Sequence, residues 1–381
     1  MKNRVLLSTC HMGGREQEFI KEAFDENWVT PLGPNVDEFE KDLRRFLGED
    51  RYVTALSSGT AAIHLGLVLL GVKAGDEVLC QSFTFSASAN PIIYQGAIPV
   101  FVDSEPDTWN MDPVLLEVAI KDRLKKKGKQ PKAIIAVHLY GMPANMKDIL
   151  TVARKYNIPV LEDAAEAIGS ELSGQKCGTF GELAALSFNG NKMITTSGGG
   201  ALICRTEEEA KRTMFFATQA RDNAPHYQHT HIGYNYRMSN ICAGIGRGQM
   251  FVLDEHIACR RAIHDLYVKL LAETKGITVK NNPSLEYNSN YWLTCILVNP
   301  ETAGISREDI RVGLAKEDIE TRPLWKPMHL QPVFANTPFY GNGTSEHLFD
   351  IGLCLPSGST LTNDDIYRVV DVIKQIQCGS N

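Results

Sequence analysis

The 381-residue sequence has no Cys-x-x-Cys pair, no apolar run long enough to span a bilayer, no excess of basic residues and no internal repeat. Each absence removes a class of protein. Nine scattered cysteines without regular spacing exclude a disulfide framework or a cysteine-bound cluster, and predict free thiols in a reducing compartment; no metal site is expected. Met1 to Arg15 holds no apolar core, so no signal peptide is expected and the chain reads as cytoplasmic. The most apolar stretch, Ala61 to Val72, is interrupted by His64 and Gly66 and is too short to cross a membrane. A formal charge of −6 argues against a nucleic-acid binder. The basic run from Lys121 to Lys132 carries Asp122, Gly128 and Pro131 and reads as a solvated loop. The sequon Asn342-Gly343-Thr344 has no secretion route to make it meaningful. No Gly-Lys-Ser/Thr string is present, which excludes a nucleotide-hydrolysing P-loop.

What is present is an alternation of short β-rich runs with helical patterns. Strands are predicted at Tyr52–Leu56, Glu77–Gln81, Ile98–Val102, Ala133–Val137, Pro159–Leu161, Ala184–Phe188 and Ala201–Cys204, with helices such as Ala61–Leu70 and Met146–Tyr156 between them. This is the pattern of an α/β domain whose mostly parallel, seven-stranded sheet is covered on both faces. A continuous helical pattern over Ser239–Thr274 leads to a smaller α+β part, with strands at Tyr291–Val298, Thr321–Leu324 and Leu353–Leu355 and helices at Arg307–Glu317 and Asp364–Gln377. The expected division is an N-terminal arm over 1–33 packing on the small domain, a large domain over 34–250 and a small C-terminal domain over 251–381.

Ligands of open α/β sheets bind beyond the carboxyl ends of the strands, and the notable residues fall there. Ser57-Ser58-Gly59-Thr60 follows a strand and opens a helix, which suits a phosphate or, more plainly, a helix cap. Phe85 ends a strand within Phe83-Thr84-Phe85 and is either core or a platform for a flat ring. Asp163, in Glu162-Asp163-Ala164-Ala165-Glu166, points into the crevice, where a carboxylate can hold a proton on a heteroaromatic nitrogen; Glu166 lies three residues on. Lys192 sits in Ser187-Phe188-Asn189-Gly190-Asn191-Lys192, a polar turn between two apolar strands. A desolvated lysine there can act as a nucleophile toward carbonyls, whereas most loop lysines are simply solvated. Gly244-x-Gly246-x-Gly248 lies inside a helical pattern and reads as helix packing rather than a dinucleotide fingerprint. Together the cradle, aromatic, carboxylate and lysine match the needs of pyridoxal 5′-phosphate.

With these segments, and with Pro31-Leu32-Gly33-Pro34 and Gly233-Tyr234-Asn235-Tyr236-Arg237-Met238-Ser239-Asn240, the sequence resembles the DegT/DnrJ/EryC1/StrS sugar aminotransferases of fold type I nearly end to end. Glu166, the Asn189-to-Gly200 string and Arg322-Pro323-Leu324-Trp325-Lys326-Pro327-Met328-His329 resemble the bacillosamine branch, which aminates UDP-linked 4-keto-6-deoxy-N-acetylhexosamines with glutamate. Many other members carry Gln or His where Glu166 stands. The resemblance implies that Lys192 forms the covalent link to pyridoxal 5′-phosphate and that Asp163 partners the pyridine nitrogen. It implies that Phe85 stacks on the ring and that Glu166 lies near the phenolic oxygen. Ser58, Gly59, Thr60, Ser187 and Asn189 match cofactor positions, and Asn235 matches an asparagine that reaches the phosphate from the neighbouring subunit of a homodimer. Thr30, Arg237, Lys326 and His329 match candidate substrate positions. The cofactor is expected to alternate with its pyridoxamine form as glutamate and then the nucleotide sugar react. A GDP-linked 4-keto sugar of the perosamine type or a 3-keto sugar nucleotide is the alternative substrate. A non-catalytic pyridoxal phosphate-binding protein is the remote alternative.

Overall fold

The structure is a computed structural model that describes residues 4–379. The strands of the large sheet are β1 (Tyr52–Leu56), β2 (Glu77–Gln81), β3 (Ile98–Val102), β4 (Ala133–Val137), β5 (Val160–Asp163), β6 (Leu183–Ser187) and β7 (Gly200–Cys204). Smaller strands follow at β8 (Ile277–Val279), β9 (Thr294–Val298), β10 (Arg322–Pro323), β11 (Phe339–Tyr340) and β12 (Gly352–Leu355). The large sheet runs β1-β7-β6-β5-β4-β2-β3-β11. Pairings from β6 across to β11 are parallel, while β7 runs antiparallel to both β1 and β6. The seven expected strands are therefore joined by an eighth, β11, which a two-residue run cannot announce in the sequence.

Buried Val, Ile, Leu and Ala line both faces of this sheet, as a parallel sheet between helices requires. The smaller sheet, β8-β9-β12-β10, has its own core with Ile310, Leu314, Ile366 and Ile373. The expected C-terminal domain of 251–381 sends one segment back: Met328 and Phe334 bury in the large-sheet core, and β11 pairs with β3. Of the expected arm, Val5 bridges Ile319 and buries in the small-sheet core, whereas helix α1 (Glu16–Asp25) packs on the helix Asn240–Met250.

Two helical expectations need correction. The pattern over Ser239–Thr274 is two helices, Asn240–Met250 and Leu253–Leu271, broken at Phe251–Val252. Phe251 is exposed with the Arg15 guanidinium over its ring, so the break lies where the N-terminal segment crosses. The basic run is not all loop: Lys121–Lys127 are the last turns of the helix Pro113–Lys127, which Gly128 ends in the left-handed region at φ 65°. The glycine triplet is a packing feature. A Cβ at Gly246 would meet the Phe39 ring at 2.7 Å, and one at Gly248 the Glu16 backbone at 2.7 Å.

Helix α2 (Pro34–Leu47) places Glu40 against β1, where Oε1 accepts the Ala55 N–H at 2.8 Å. Burial pushes the Glu40 carboxyl up to about 7 from its ordinary 4.5, against the pull of that N–H and of Arg237. The folded chain thus binds this proton more tightly than the unfolded one. Its stabilising contribution is present below pH 4.5 and is lost as pH rises toward 7. Glu40→Gln is expected to flatten that decline and to raise stability at pH 8 by ~2 kcal/mol in urea unfolding. A variant whose stability falls with pH as steeply as the wild type would contradict the assignment.

Candidate active site

The chain leaves β1 through Ser57 and enters the helix α3 (Gly59–Leu69). Ser58 is extended, and its Oγ accepts the Ala61 N–H at 3.0 Å, which caps the helix. The opening N–H groups of α3 have no partner within the helix, and this positive end lies at the cavity wall. A Cβ at Gly59 would stand 2.9 Å from Cβ of Ser187, so glycine is what lets α3 approach the end of β6.

Alternation at the end of β5 sends Glu162 and Asp163 to opposite faces. Glu162 is fully buried and accepts N–H groups of Gly178, Phe180 and Gly181 at 2.8, 2.6 and 2.6 Å. It also accepts His138 Nε2–H at 2.8 Å, because Nδ1 of that ring is occupied as acceptor of the Ala144 N–H. This anchor fixes the strand end beneath Asp163. Asp163 turns to the cavity, where Oδ2 accepts the Ser88 hydroxyl at 2.6 Å and Oδ1 the Ala165 N–H at 3.2 Å. Thr84 Oγ1 lies 2.7 Å from Ser88 Oγ, and since Ser88 gives its proton to Asp163, Thr84 is the donor of that pair.

Lys192 is carried by the turn after β6, closed by its own N–H to Asn189 O at 2.9 Å and by Thr196 N–H to Phe188 O at 2.9 Å. Its Nζ lies 3.1 Å from Glu166 Oε1 and 4.1 Å from the centre of the Trp292 ring. The other Glu166 oxygen accepts the Tyr140 N–H at 2.7 Å. Burial pushes the Glu166 carboxyl up to about 7; Lys192 and the Tyr140 N–H oppose the rise, and Asp163 adds to it. Glu166 therefore changes charge near neutrality, beside the lysine.

These groups enclose a cavity of about 300 Å³. Ser58, Gly59, Thr60, Phe85, Asp163, Glu166, Ser187, Asn189 and Lys192 all line it. Phe85 is 55% exposed, unlike its fully buried neighbour Phe83, so it presents a free ring to the cavity. The residues fit pyridoxal 5′-phosphate: an acceptor carboxylate at Asp163, an aromatic face at Phe85, a helix N-terminus and hydroxyls at Ser58–Thr60, and the lysine Nζ between them.

The remaining expected residues do not line this cavity. Asn235 is exposed and bridges Thr218; Thr30 accepts the Asn240 N–H through its carbonyl. Arg237 bridges Leu56, and its Nε is buried without a partner. Lys326 is exposed. His329 is held between Ser82 Oγ at 2.7 Å and Glu346 Oε1 at 3.1 Å and stacks on Phe339, as a structural histidine does. Trp292, Trp325, Ser88 and Tyr140 are also at the site. Ser88 sits inside a helix start, where a serine reads as a capping residue; Trp325 lies within the Arg322–His329 string, whereas Trp292 has no local signal.

The family model for the DegT/DnrJ/EryC1/StrS aminotransferase family matches residues 11–374. A protein of Bacillus subtilis named as a pyridoxal phosphate-dependent aminotransferase, EpsN, is 49% identical, spanning 98% of this chain and 96% of its own. A GDP-perosamine synthase of Caulobacter vibrioides is 36% identical over 98% of each chain. The crystal structure of a DegT DnrJ EryC1 StrS aminotransferase from Brucella abortus superposes with a TM-score of 0.89 at 30% identity, covering 95% of both chains.

Proposed function

The chain belongs to the DegT/DnrJ/EryC1/StrS aminotransferase family, and on that premise we propose that it moves the amino group of glutamate to the C4 keto carbon of a UDP-linked 4-keto-6-deoxy-N-acetylhexosamine, in amino-sugar synthesis of the bacillosamine type. It is a sugar aminotransferase, and pyridoxal 5′-phosphate is its cofactor. The observation that carries the reading is the convergence of Lys192, Asp163 and Phe85 with the α3 N-terminus on one cavity.

Pyridoxal 5′-phosphate supplies an electron-withdrawing ring that stores the charge left when a proton leaves a substrate carbon. Lys192 Nζ would carry the covalent link and, once displaced by an incoming amine, take and return that proton as general base. Asp163, fixed by Ser88 and Ala165, would keep the ring nitrogen protonated. The N–H groups of α3 with Ser58, Thr60 and Ser187 would hold the phosphate. Phe85, Trp292 and Trp325 supply the aromatic part of the cavity lining.

A second hollow of about 300 Å³ adjoins the first, sharing Phe85, Asn191, Trp292 and Trp325 and adding Arg322 and Glu320. Its aromatic walls suit a sugar ring, and the Arg322 guanidinium, paired with Glu320 at 2.9 Å, would exchange that carboxylate for a diphosphate. Lys192 is the sole cationic side chain lining the inner cavity among the described residues. Asn235 lies outside it, exposed, where a second copy of the chain in a homodimer could take it up as a phosphate ligand of the neighbouring site. No helix among the described residues is long and apolar enough to cross a membrane, and we place the enzyme in the cytoplasm with its nucleotide-sugar substrate.

The 36% identity to a GDP-perosamine synthase keeps a GDP-linked 4-keto sugar as the second reading. Both are tested by offering UDP- and GDP-linked 4-keto-6-deoxy sugars with glutamate and identifying the amino sugar by NMR. The UDP-linked N-acetyl sugar is expected to be aminated at C4 with a kcat/KM roughly ten-fold or more above the GDP-linked one. Amination of the GDP-linked sugar alone would reverse the assignment.

A further inference from the structure

The segment leading into β9 makes contacts that its place in the small sheet does not require. Trp292 is 3% exposed, and its ring lies over Lys192 Nζ at 4.1 Å. Its indole N–H donates to Asn191 O, one residue before the lysine, at 2.8 Å. The same Asn191 carbonyl accepts the Ser8 hydroxyl at 2.9 Å. Arg260, fully buried, ties these together by donating to Trp292 O at 2.5 Å and to Ser8 Oγ at 2.9 Å. Two residues earlier, Asn290 donates to Glu166 O at 2.8 Å and accepts the Trp292 N–H at 2.9 Å. Between them Tyr291 holds φ 46°, a left-handed backbone that an aromatic residue adopts only where its surroundings impose it. The stack of Tyr291 on His264 and the Ser289 hydroxyl, which accepts the Tyr291 N–H, supply that constraint.

We infer that Trp292 is the positioning residue for Lys192, a clasp by which the small sheet holds the reactive lysine's turn from outside the large domain. The inference rests on Lys192 being the lysine that links the cofactor. When an amine displaces that link, the released side chain must stay where it can receive a proton. The indole N–H holds the peptide that carries the free amine, and once the amine has taken the proton the indole face attracts the resulting ammonium. Glu166, on the other side, bears its charge only in part near neutrality, so the ring supplies an attraction that does not vanish as the carboxyl is protonated.

The test needs no cofactor. Apoprotein is labelled with acetic anhydride, and acetylation of Lys192 is read by peptide mass spectrometry against the exposed Lys316. Trp292→Leu removes ring and donor; Trp292→Phe keeps an aromatic face. Lys192 in W292L is expected to label about five-fold faster than in the wild type, and in W292F within about two-fold. In the holoenzyme, kcat is expected to fall roughly twenty-fold in W292L with KM for glutamate little changed, and to recover most of the way in W292F. Where W292L does not fold, trifluorotryptophan incorporated at position 292 alone weakens that ring's negative face at nearly constant size and is expected to speed labelling about two-fold. Labelling that ignores both ring changes, or a kcat loss that W292F shares in full, overturns the inference. A wild-type holoenzyme without yellow absorbance or transamination would instead defeat the reading of Lys192 itself.

Discussion

Lys192→Ala is expected to leave a folded protein that lacks the yellow absorbance of the wild type and turns over at least ~10³-fold more slowly. On the roles proposed for Lys192, two functions would end together: the covalent hold on the cofactor and the general base that moves the substrate proton, the latter alone being worth on the order of 10²–10⁴. The fold should survive, because Lys192 meets only Glu166 and the Trp292 ring through its side chain. Removing the cation leaves the Tyr140 N–H to oppose the burial of Glu166 without Lys192, so Glu166 is expected to titrate higher in the variant. Wild-type spectrum and rate in this variant would remove the central assignment. Mixing its subunits with Asn235→Ala subunits carries the dimer question further. If Asn235 serves the neighbouring site, heterodimers regain one intact site from two inactive parents; if no activity returns, the shared-site reading fails.

Asp163→Asn is the second large effect. The substitution keeps the shape; its amide oxygen can still accept the Ala165 N–H, while the Ser88 hydroxyl must turn to accept from the amide nitrogen, and the charge is removed. A hydrogen bond to a charged group is worth about 1.5–3 kcal/mol, so kcat should fall on the order of 10²-fold while Tm moves little. The chain Thr84–Ser88–Asp163 offers an internal control, since Ser88→Ala loosens the carboxylate without discharging it and should cost much less. Equal losses in both variants would mean that orientation, not charge, is what Asp163 provides.

Why some of this was legible in sequence and some was not follows from range. Asp163 could be read because one short strand fixes the alternation that aims it, and the strand ends of a parallel sheet place cavity residues from many segments in one region. Lys192 could be read because its turn lies between two recognisable strands. Trp292 could not, because its contact with Lys192 spans a hundred residues of chain and depends on a backbone conformation that nothing in Asn290-Tyr291-Trp292 announces. His329 illustrates the converse. Its setting resembles a substrate segment, but Ser82 and Glu346 already engage both ring nitrogens. The break at Phe251–Val252 was missed because the apolar periodicity runs through it, and only the crossing N-terminal segment reveals it.

The two-residue strand β11 has a bearing on how this chain survives partial opening. Strand β3 reads Ile98-Pro99-Val100-Phe101-Val102, uncharged and β-prone, and apart from β11 its outer side is the free margin of the sheet. Such margins recruit other chains into intermolecular sheets. Phe339 and Tyr340 cover Phe101 and Val102, while Pro99, which has no N–H to offer, blunts the remainder. The segment returning from the small sheet therefore also acts as a guard against aggregation. Loosening between Pro332 and Gly343 would expose the backbone of Phe101 and Val102 at that margin.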